Sequence, residues 1–176
     1  MNKKCGHLLA TLTLLASAAW NQPVYAQSRS QHFVCDRGYT AAQCQVAMDI
    51  LRVKLRKYPT HDLGDWTWVV VRSIDWKRLL YDRNLSSDVP AFTYLPERET
   101  FFDEALLDGA SPRGIELALS WHRSIPELLD LAIRHELGHA LCNERNEAAA
   151  KRTAQLLLIE PEADTLRVCR PKKPNI

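Results

Sequence analysis

The chain has 176 residues, of which 46% are hydrophobic, and its 23 Lys and Arg residues nearly balance its 21 Asp and Glu residues. This length suits one domain with a hydrophobic core of its own. The balanced charge, without a basic stripe or interleaved aromatic residues, excludes the usual electrostatic footprint of a nucleic-acid-binding protein.

Residues 1–26 have the layout of a secretory signal peptide. Two lysines supply a positive start, Leu8–Trp20 is a mostly apolar run, and small residues lead to a cleavage position after Ala26. The run is shorter than the ~20 residues that span a bilayer as a helix, so an uncleaved membrane anchor is the less favoured alternative. Cleavage predicts an exported domain over residues 27–176, periplasmic or secreted, with no membrane span. Loss of the two lysines lowers the basic count from 23 to 21, equal to the 21 acidic residues.

Four cysteines remain in the exported domain: Cys35, Cys44, Cys142 and Cys169. An even number of cysteines in an exported chain predicts disulfides, and closeness in sequence favours Cys35 with Cys44, which leaves Cys142 with Cys169. A thiolate at Cys142 that binds a metal is the alternative. The chain has no Cys-x-x-Cys pair, which argues against a zinc knuckle.

The first half of the domain contains one strong helix pattern and one strong strand pattern. Residues 40–57 carry apolar residues at helical spacing, and Pro59 ends the predicted helix. Trp66–Val71 is aromatic and β-branched, which predicts a central strand. Asp75 is placed to cap a short helix that runs to Leu80.

A second strand is predicted over Val89–Leu95, where prolines near both ends indicate an edge position. Thr100, with Asp103 three residues later, resembles a capping box for a helix over residues 101–107. Ser111-Pro112 predicts the start of another short helix, because proline is favoured in the first turn.

The clearest helix start in the chain is Ser124-Ile-Pro-Glu127, which combines a serine cap, a proline in the first turn and a reciprocal glutamate. Helical spacing then continues to Cys142. Residues 143–146 indicate a tight turn, and Glu147–Leu158 consists of strong helix formers. The sequence therefore predicts a helical hairpin in this region.

The motif His135-Glu136-x-x-His139 lies inside the predicted hairpin. Histidines four residues apart project from the same face of a helix, so both imidazoles can bind one zinc ion. Glu136 lies about 100° around the helix from His135, where it can act as general base toward a zinc-activated water. Gly138 is expected to let a neighbouring element pack closely.

A catalytic zinc site requires a third protein ligand, and the sequence offers three glutamates for this role. A third histidine six residues after His139 could be this ligand, but the residue at that position is Arg145. Glu147 is favoured, because an antiparallel second helix brings it within reach of His139. Glu160 and Glu144 stay open as alternatives, the first about 20 Å farther along that helix and the second inside the turn.

These residues resemble the zincin metallopeptidases, whose hallmark is His-Glu-x-x-His on the active-site helix. Within them the chain looks most similar to the small glutamate-ligand branch, the gluzincins, including the minigluzincins and the ImmA/IrrE-like peptidases. The resemblance covers about residues 127–164 of this chain. It implies that His135 and His139 are zinc ligands and that Glu136 is the general base.

The resemblance has two matches for the third ligand. Glu147-Ala-Ala-Ala150 resembles the Glu-x-x-Ala of the following helix, and Glu160-Pro-Glu-Ala-Asp164 resembles the Glu-x-x-Ala-Asp of larger members. Lys151 stands where many relatives carry Asp or Asn. Tyr94, on the predicted edge strand, is a candidate oxyanion stabiliser by similarity to several zincins, with simple packing as the alternative.

The resemblance implies a zincin-like α+β fold: a small, mainly antiparallel sheet with helices on one face, and an edge strand that binds extended peptide. The expected function is zinc-dependent hydrolysis of a peptide or protein substrate, with one zinc ion per chain. Two alternatives stay open, a zinc-binding module without effective catalysis and a disulfide-stabilised interaction protein without metal.

Overall fold

The computed structural model describes residues 30–169, so the predicted signal peptide lies outside the described residues. Within them the fold is α+β, as predicted. The strands are β1 (Gln31–Cys35), β2 (Trp66–Val71), β3 (Ala91–Tyr94) and β4 (Glu99–Asp103). The α-helices are α1 (Ala41–Leu55), α2 (Ser73–Asp82), α3 (Pro112–Trp121), α4 (Ile125–Cys142), α5 (Glu147–Ile159) and α6 (Thr165–Val168). Two short 3-10 helices span Thr60–Leu63 and Glu104–Leu106.

The four strands form one mixed sheet in the order β1-β2-β4-β3. β1 and β2 run parallel, as do β2 and β4, whereas β3 runs antiparallel to β4. The predicted mainly antiparallel sheet is therefore wrong. The reason lies in the connections. α1 links the parallel strands β1 and β2, whereas β2 is followed by α2 and then by β3, which runs in the opposite direction, so β4 returns parallel to β2. The central position of β2 and the edge position of β3 are confirmed.

Helices cover both faces of the sheet, so the predicted single helical face is also wrong. On one face Trp68 and Phe102 pack in a large core with α1, α4 and α5. On the other face Val69 and Phe101 pack against Trp76 of α2. The nearly continuous apolar run of β2 explains this arrangement, because successive side chains point to opposite faces and both sets are buried.

Local capping patterns begin three helices at or near the predicted positions. The hydroxyl of Thr40 accepts a hydrogen bond from a backbone N–H in the first turn of α1. Ser124 and Glu127 form the predicted capping box of α4, with the Glu127 carboxylate accepting from the N–H of Ser124 at 2.9 Å. The side chain of Asn146 accepts from a backbone N–H at 3.0 Å and begins α5. The hairpin that carries the motif is confirmed.

Two other predicted caps are wrong. α2 begins at Ser73, so Asp75 lies within its first turn and does not cap it. Thr100 and Asp103 do not frame a helix over residues 101–107, because both lie in β4, which pairs with β2 on one side and β3 on the other. Pairing across the sheet therefore overrode a local pattern, and the Asp103 side chain caps the short 3-10 helix that follows β4.

Both predicted disulfides are confirmed. Cys35 at the end of β1 is bonded to Cys44 of α1, with Cα atoms 5.8 Å apart. Cys142 at the end of α4 is bonded to Cys169 beside α6, with Cα atoms 5.1 Å apart. Such bonds persist in oxidising compartments, which agrees with the predicted export. Among residues 30–169, no helix is long and apolar enough to cross a membrane.

Candidate metal centre

The register between α4 and α5 is set by two close contacts. At Gly138 a Cβ atom would lie 2.6 Å from the carbonyl oxygen of Ala150, so only glycine allows this approach. One turn earlier, the guanidinium of Arg134 donates to the carbonyl oxygen of Ala154 at 3.0 Å and pairs with Asp130 at 3.1 Å. The expected close packing at Gly138 is confirmed, whereas the buried Arg134 was not predicted. Together these contacts hold the start of α5 beside the motif.

Three side chains meet at this end of the hairpin. Nε2 of His135 lies 3.3 Å from Nε2 of His139 and 3.0 Å from Oε2 of Glu147. Nε2 of His139 lies 3.5 Å from Oε1 of Glu147. All three ligand atoms lie within 4.8 Å of one another, so this group can hold a metal ion. Glu147, the favoured candidate for third ligand, is the glutamate that the structure brings to the two histidines.

The side-chain types of this group are among those that bind zinc and other transition metals. Zinc binds imidazole nitrogen and carboxylate oxygen at about 2.0–2.2 Å, and in a regular tetrahedron such bonds place two ligand atoms about 3.3–3.6 Å apart. The two imidazole nitrogens lie 3.3 Å apart, within that range, whereas Glu147 turns a different oxygen to each histidine, at 3.0 Å from His135 and 3.5 Å from His139. Two imidazoles and one carboxylate also leave a fourth position open, which is the arrangement of catalytic zinc sites.

The backbone of the α4–α5 turn orients one of the histidines. Nδ1 of His139 lies 2.6 Å from the carbonyl oxygen of Glu144. A carbonyl oxygen can only accept, so Nδ1 carries the proton and Nε2 presents its lone pair to the metal position. The Glu144 carboxylate instead accepts from the N–H of Asn146 at 2.8 Å. The sequence offers the Glu144 side chain as an alternative ligand, whereas the structure uses its backbone carbonyl oxygen to orient His139. No sequence pattern predicts this contact.

The remaining ligand candidates lie elsewhere. Glu160, the alternative third ligand, follows the last turn of α5 and accepts from Arg167 at 2.8 Å. Asp164 caps α6 by accepting from the N–H of Arg167. Cys142 is bonded to Cys169, so it has no free thiolate to offer a metal. Within the described residues, the glutamate that joins His135 and His139 is therefore Glu147, from the segment Glu147-Ala-Ala-Ala150.

Glu136 lies beside the metal group, next to Thr93 of β3, with 4% of the residue exposed. Burial raises the pKa of its carboxyl to about 8, and hydrogen bonding from Thr93 opposes that rise. Burial also lowers the pKa of His135, and the positive charge of Lys151 acts in the same direction. A lower pKa keeps the imidazole neutral at pH 7, the form that binds a metal.

The metal group opens into a cleft of about 890 Å³. Its floor is a stripe of α4 that includes Leu128, Leu131 and His135. α4 contacts both β3 and α5, and residues of these two elements form walls of the cleft. Trp121, at the end of α3, also lines the cleft. An apolar trough therefore leads along α4 to the metal group.

Tyr94 lines the cleft at the end of β3. The guanidinium of Arg83 lies 4.2 Å from the centroid of its ring, and the ring packs against the sheet face that α2 covers. These are the contacts of a packed aromatic residue, in line with the alternative for this position. The oxyanion role of Tyr94 stays a prediction.

We expect Gly138→Ala to destabilise the protein by about 1–3 kcal/mol, the usual cost of overpacking a core. The added methyl group would meet the backbone of Ala150, which moves only if α4 and α5 separate. Since Glu147 begins α5, zinc affinity should fall as well. Urea unfolding and zinc titration measure the two effects. Gly109→Ala is the matched control, because its nearest neighbour is the movable side chain of Ile125. Equal stability of both variants would contradict the proposed packing.

No family model matches the chain, and no curated protein is similar to it.

Proposed function

We propose that the protein is an exported zinc metallopeptidase with a zincin-like fold. The observation that carries this proposal is the meeting of His135, His139 and Glu147 in a cleft that also contains the buried carboxylate of Glu136. A metal group alone would serve a binding protein equally well. A carboxylate beside it and an open cleft are the additional features that hydrolysis requires. The predicted signal peptide and the two disulfides favour action outside the cytoplasm.

Each group has a defined part in the proposed reaction. His135, His139 and Glu147 would hold the zinc ion, which would supply Lewis-acid chemistry toward water and toward a peptide carbonyl. The charge of a metal ion in the group would lower the pKa of Glu136 from the value that burial sets, so that the ionised carboxylate accepts a proton from the attacking water and delivers it to the leaving amine. The hydroxyl of Thr93 donates to the backbone carbonyl oxygen of Glu136 at 3.4 Å and so fixes this residue of α4 against β3. The carbonyl of Glu144 keeps the Nε2 atom of His139 directed at the metal position.

The edge strand β3 supports a peptide as the substrate. Within residues 30–169, β4 is the strand that pairs with β3, and the other edge of β3 has no strand partner. An edge of this kind can add an extended peptide through main-chain hydrogen bonds. Because β3 lines the same cleft as His135 and His139, such a peptide would pass the metal position. Main-chain recognition of this type accepts many sequences, which suits unfolded protein as a first substrate.

The protein should bind one zinc ion per chain and cleave unfolded protein such as casein. Metal analysis after gentle purification gives the stoichiometry, and fragment production gives the activity. A chelator should abolish cleavage, and added zinc should restore it. A protein that takes up no zinc at neutral pH would favour the metal-free interaction protein. Zinc uptake without cleavage of any unfolded protein would favour the zinc-binding module.

A further inference from the structure

Lys151 lies in the middle of the α5 wall of the cleft. α5 presents Glu147, Lys151 and Gln155 to the cleft, and residues four apart share one face of a helix. Lys151 follows Glu147 by one turn, about 6 Å along the axis. The exposed side chain of Lys151 therefore lines the cleft close to the metal group, where it is open to a peptide that lies along β3 in the same cleft.

The acidic side chains that line the cleft have hydrogen-bond partners, whereas Lys151 has no ion-pair partner among the described residues. Among its acids, Glu144 accepts from a backbone N–H, Asp88 accepts from a serine hydroxyl and Glu147 contacts the two histidines. By contrast, no ion pair at the cleft within residues 30–169 includes Lys151 or Arg145. Lys151 therefore has no ion-pair partner among the described residues and can pair with an anionic group of a ligand, an interaction that the low-dielectric walls of a cleft strengthen.

The floor next to Lys151 is apolar. Leu128, Leu131 and Ala132 line it on the side of His135 away from the α4–α5 turn. Leucine and alanine side chains cannot hydrogen-bond to a carboxylate, so a buried anionic group needs a cation as partner. Lys151 is the cation that the α5 wall offers at this point. An extended peptide advances about 3.3 Å per residue, so 6 Å along the helix corresponds to roughly two residues.

We propose that Lys151 is a specificity-determining residue that selects peptides carrying a carboxylate within two residues of the scissile bond. The inference rests on the proposed peptidase function and names the substrate class of the same site. The carboxylate belongs either to an Asp or Glu side chain or to the C-terminus of the substrate. Both sources offer the same ion to the Lys151 amine, and peptides with free or amidated C-termini separate them.

Peptide binding tests this inference independently of turnover. Fluorescence anisotropy with zinc-loaded protein compares labelled peptides that differ in one position, Glu against Gln, each with a free or an amidated C-terminus. Lys151→Gln should remove the preference for the carboxylate, about fivefold in affinity, which is the upper range for an exposed ion pair. Lys151→Glu should reverse it. The matched control is Arg152→Gln, because Arg152 is the next residue of α5, is exposed and does not line the cleft.

Salt dependence separates recognition of charge from a structural role of Lys151. The preference should shrink between about 0.01 M and 1 M salt, over which the Debye length falls from about 30 Å to 3 Å. A variant that merely perturbed α5 would weaken both members of each peptide pair and would show no such dependence. Zinc content and the circular dichroism spectrum of each variant should match those of the parent.

Several outcomes would overturn the role of Lys151. They are a preference unchanged in Lys151→Gln, an equal loss in Arg152→Gln, or a loss confined to Arg145→Gln, which would move the carboxylate to the α4–α5 turn. Failure of the parent to bind any of the peptides would overturn it too. The peptidase proposal fails differently, because carboxylate-selective binding without cleavage rejects the peptidase and keeps the subsite. Cleavage without any preference for a carboxylate supports the peptidase and rejects the role of Lys151.

Discussion

Glu136→Gln should keep the zinc and the fold and lose about 10²–10⁴-fold in peptidase activity, the range that general acid–base catalysis contributes. The amide has nearly the shape of the carboxylate but cannot accept the proton of the attacking water. Glu136 is not one of the three metal-binding side chains, so zinc stoichiometry should stay at one per chain. The measurements are initial rates on unfolded protein and metal analysis of the same samples.

The matched control for this loss is Glu116→Gln, the same chemical change at an exposed residue of α3 that pairs with Arg113. Its activity should equal that of the parent. If Glu136→Gln cleaves as fast as the parent while both bind zinc, then Glu136 is not the general base. If Glu136→Gln loses zinc together with activity, its carboxylate supports the metal directly and the division of roles proposed above is wrong.

Glu147→Ala should weaken zinc binding by more than about 100-fold, because loss of a direct ligand should exceed the 10–100-fold typical of lost outer-shell partners. Two imidazoles alone hold zinc poorly and leave its charge less neutralised. The fold should survive, since the Glu147 side chain is 69% exposed and Asn146 caps α5 independently. Competition against a chromophoric chelator gives the affinity, and thermal unfolding of the metal-free variants gives the stability.

Glu160→Ala is the internal comparison for the third ligand. Zinc affinity should be nearly unchanged, because Glu160 pairs with Arg167 beyond the end of α5. The opposite result, with zinc lost in Glu160→Ala and kept in Glu147→Ala, would mean that the chain reaches the metal through a longer loop after Cys142. The second match to the family pattern, Glu160 to Asp164, would then supply the ligand, and the register of the hairpin would need revision.

Short-range chemistry in the sequence was sufficient to predict the hairpin and most of the metal group. The spacing of His135 and His139 depends only on the helical period, and the capping box of Ser124 and Glu127 acts within one turn. The disulfide pairing followed from sequence distance once two bridges were expected. β2 was predicted at its observed limits because its aromatic and β-branched run has few alternatives.

Features that depend on contacts between distant segments needed the tertiary structure. β1 has no clear pattern in the sequence, and the helix predicted over residues 101–107 overlaps β4, because only pairing with β2 makes these short segments strands. The choice between Glu147 and Glu160 likewise depended on the register of α5, which the contact of Gly138 with Ala150 sets. The orientation of His139 by a backbone carbonyl was beyond sequence analysis, because every residue type has that carbonyl. Periodicity and capping act over one or two turns and can be read from residue order, whereas strand direction, helix register and backbone contacts depend on how the whole chain packs.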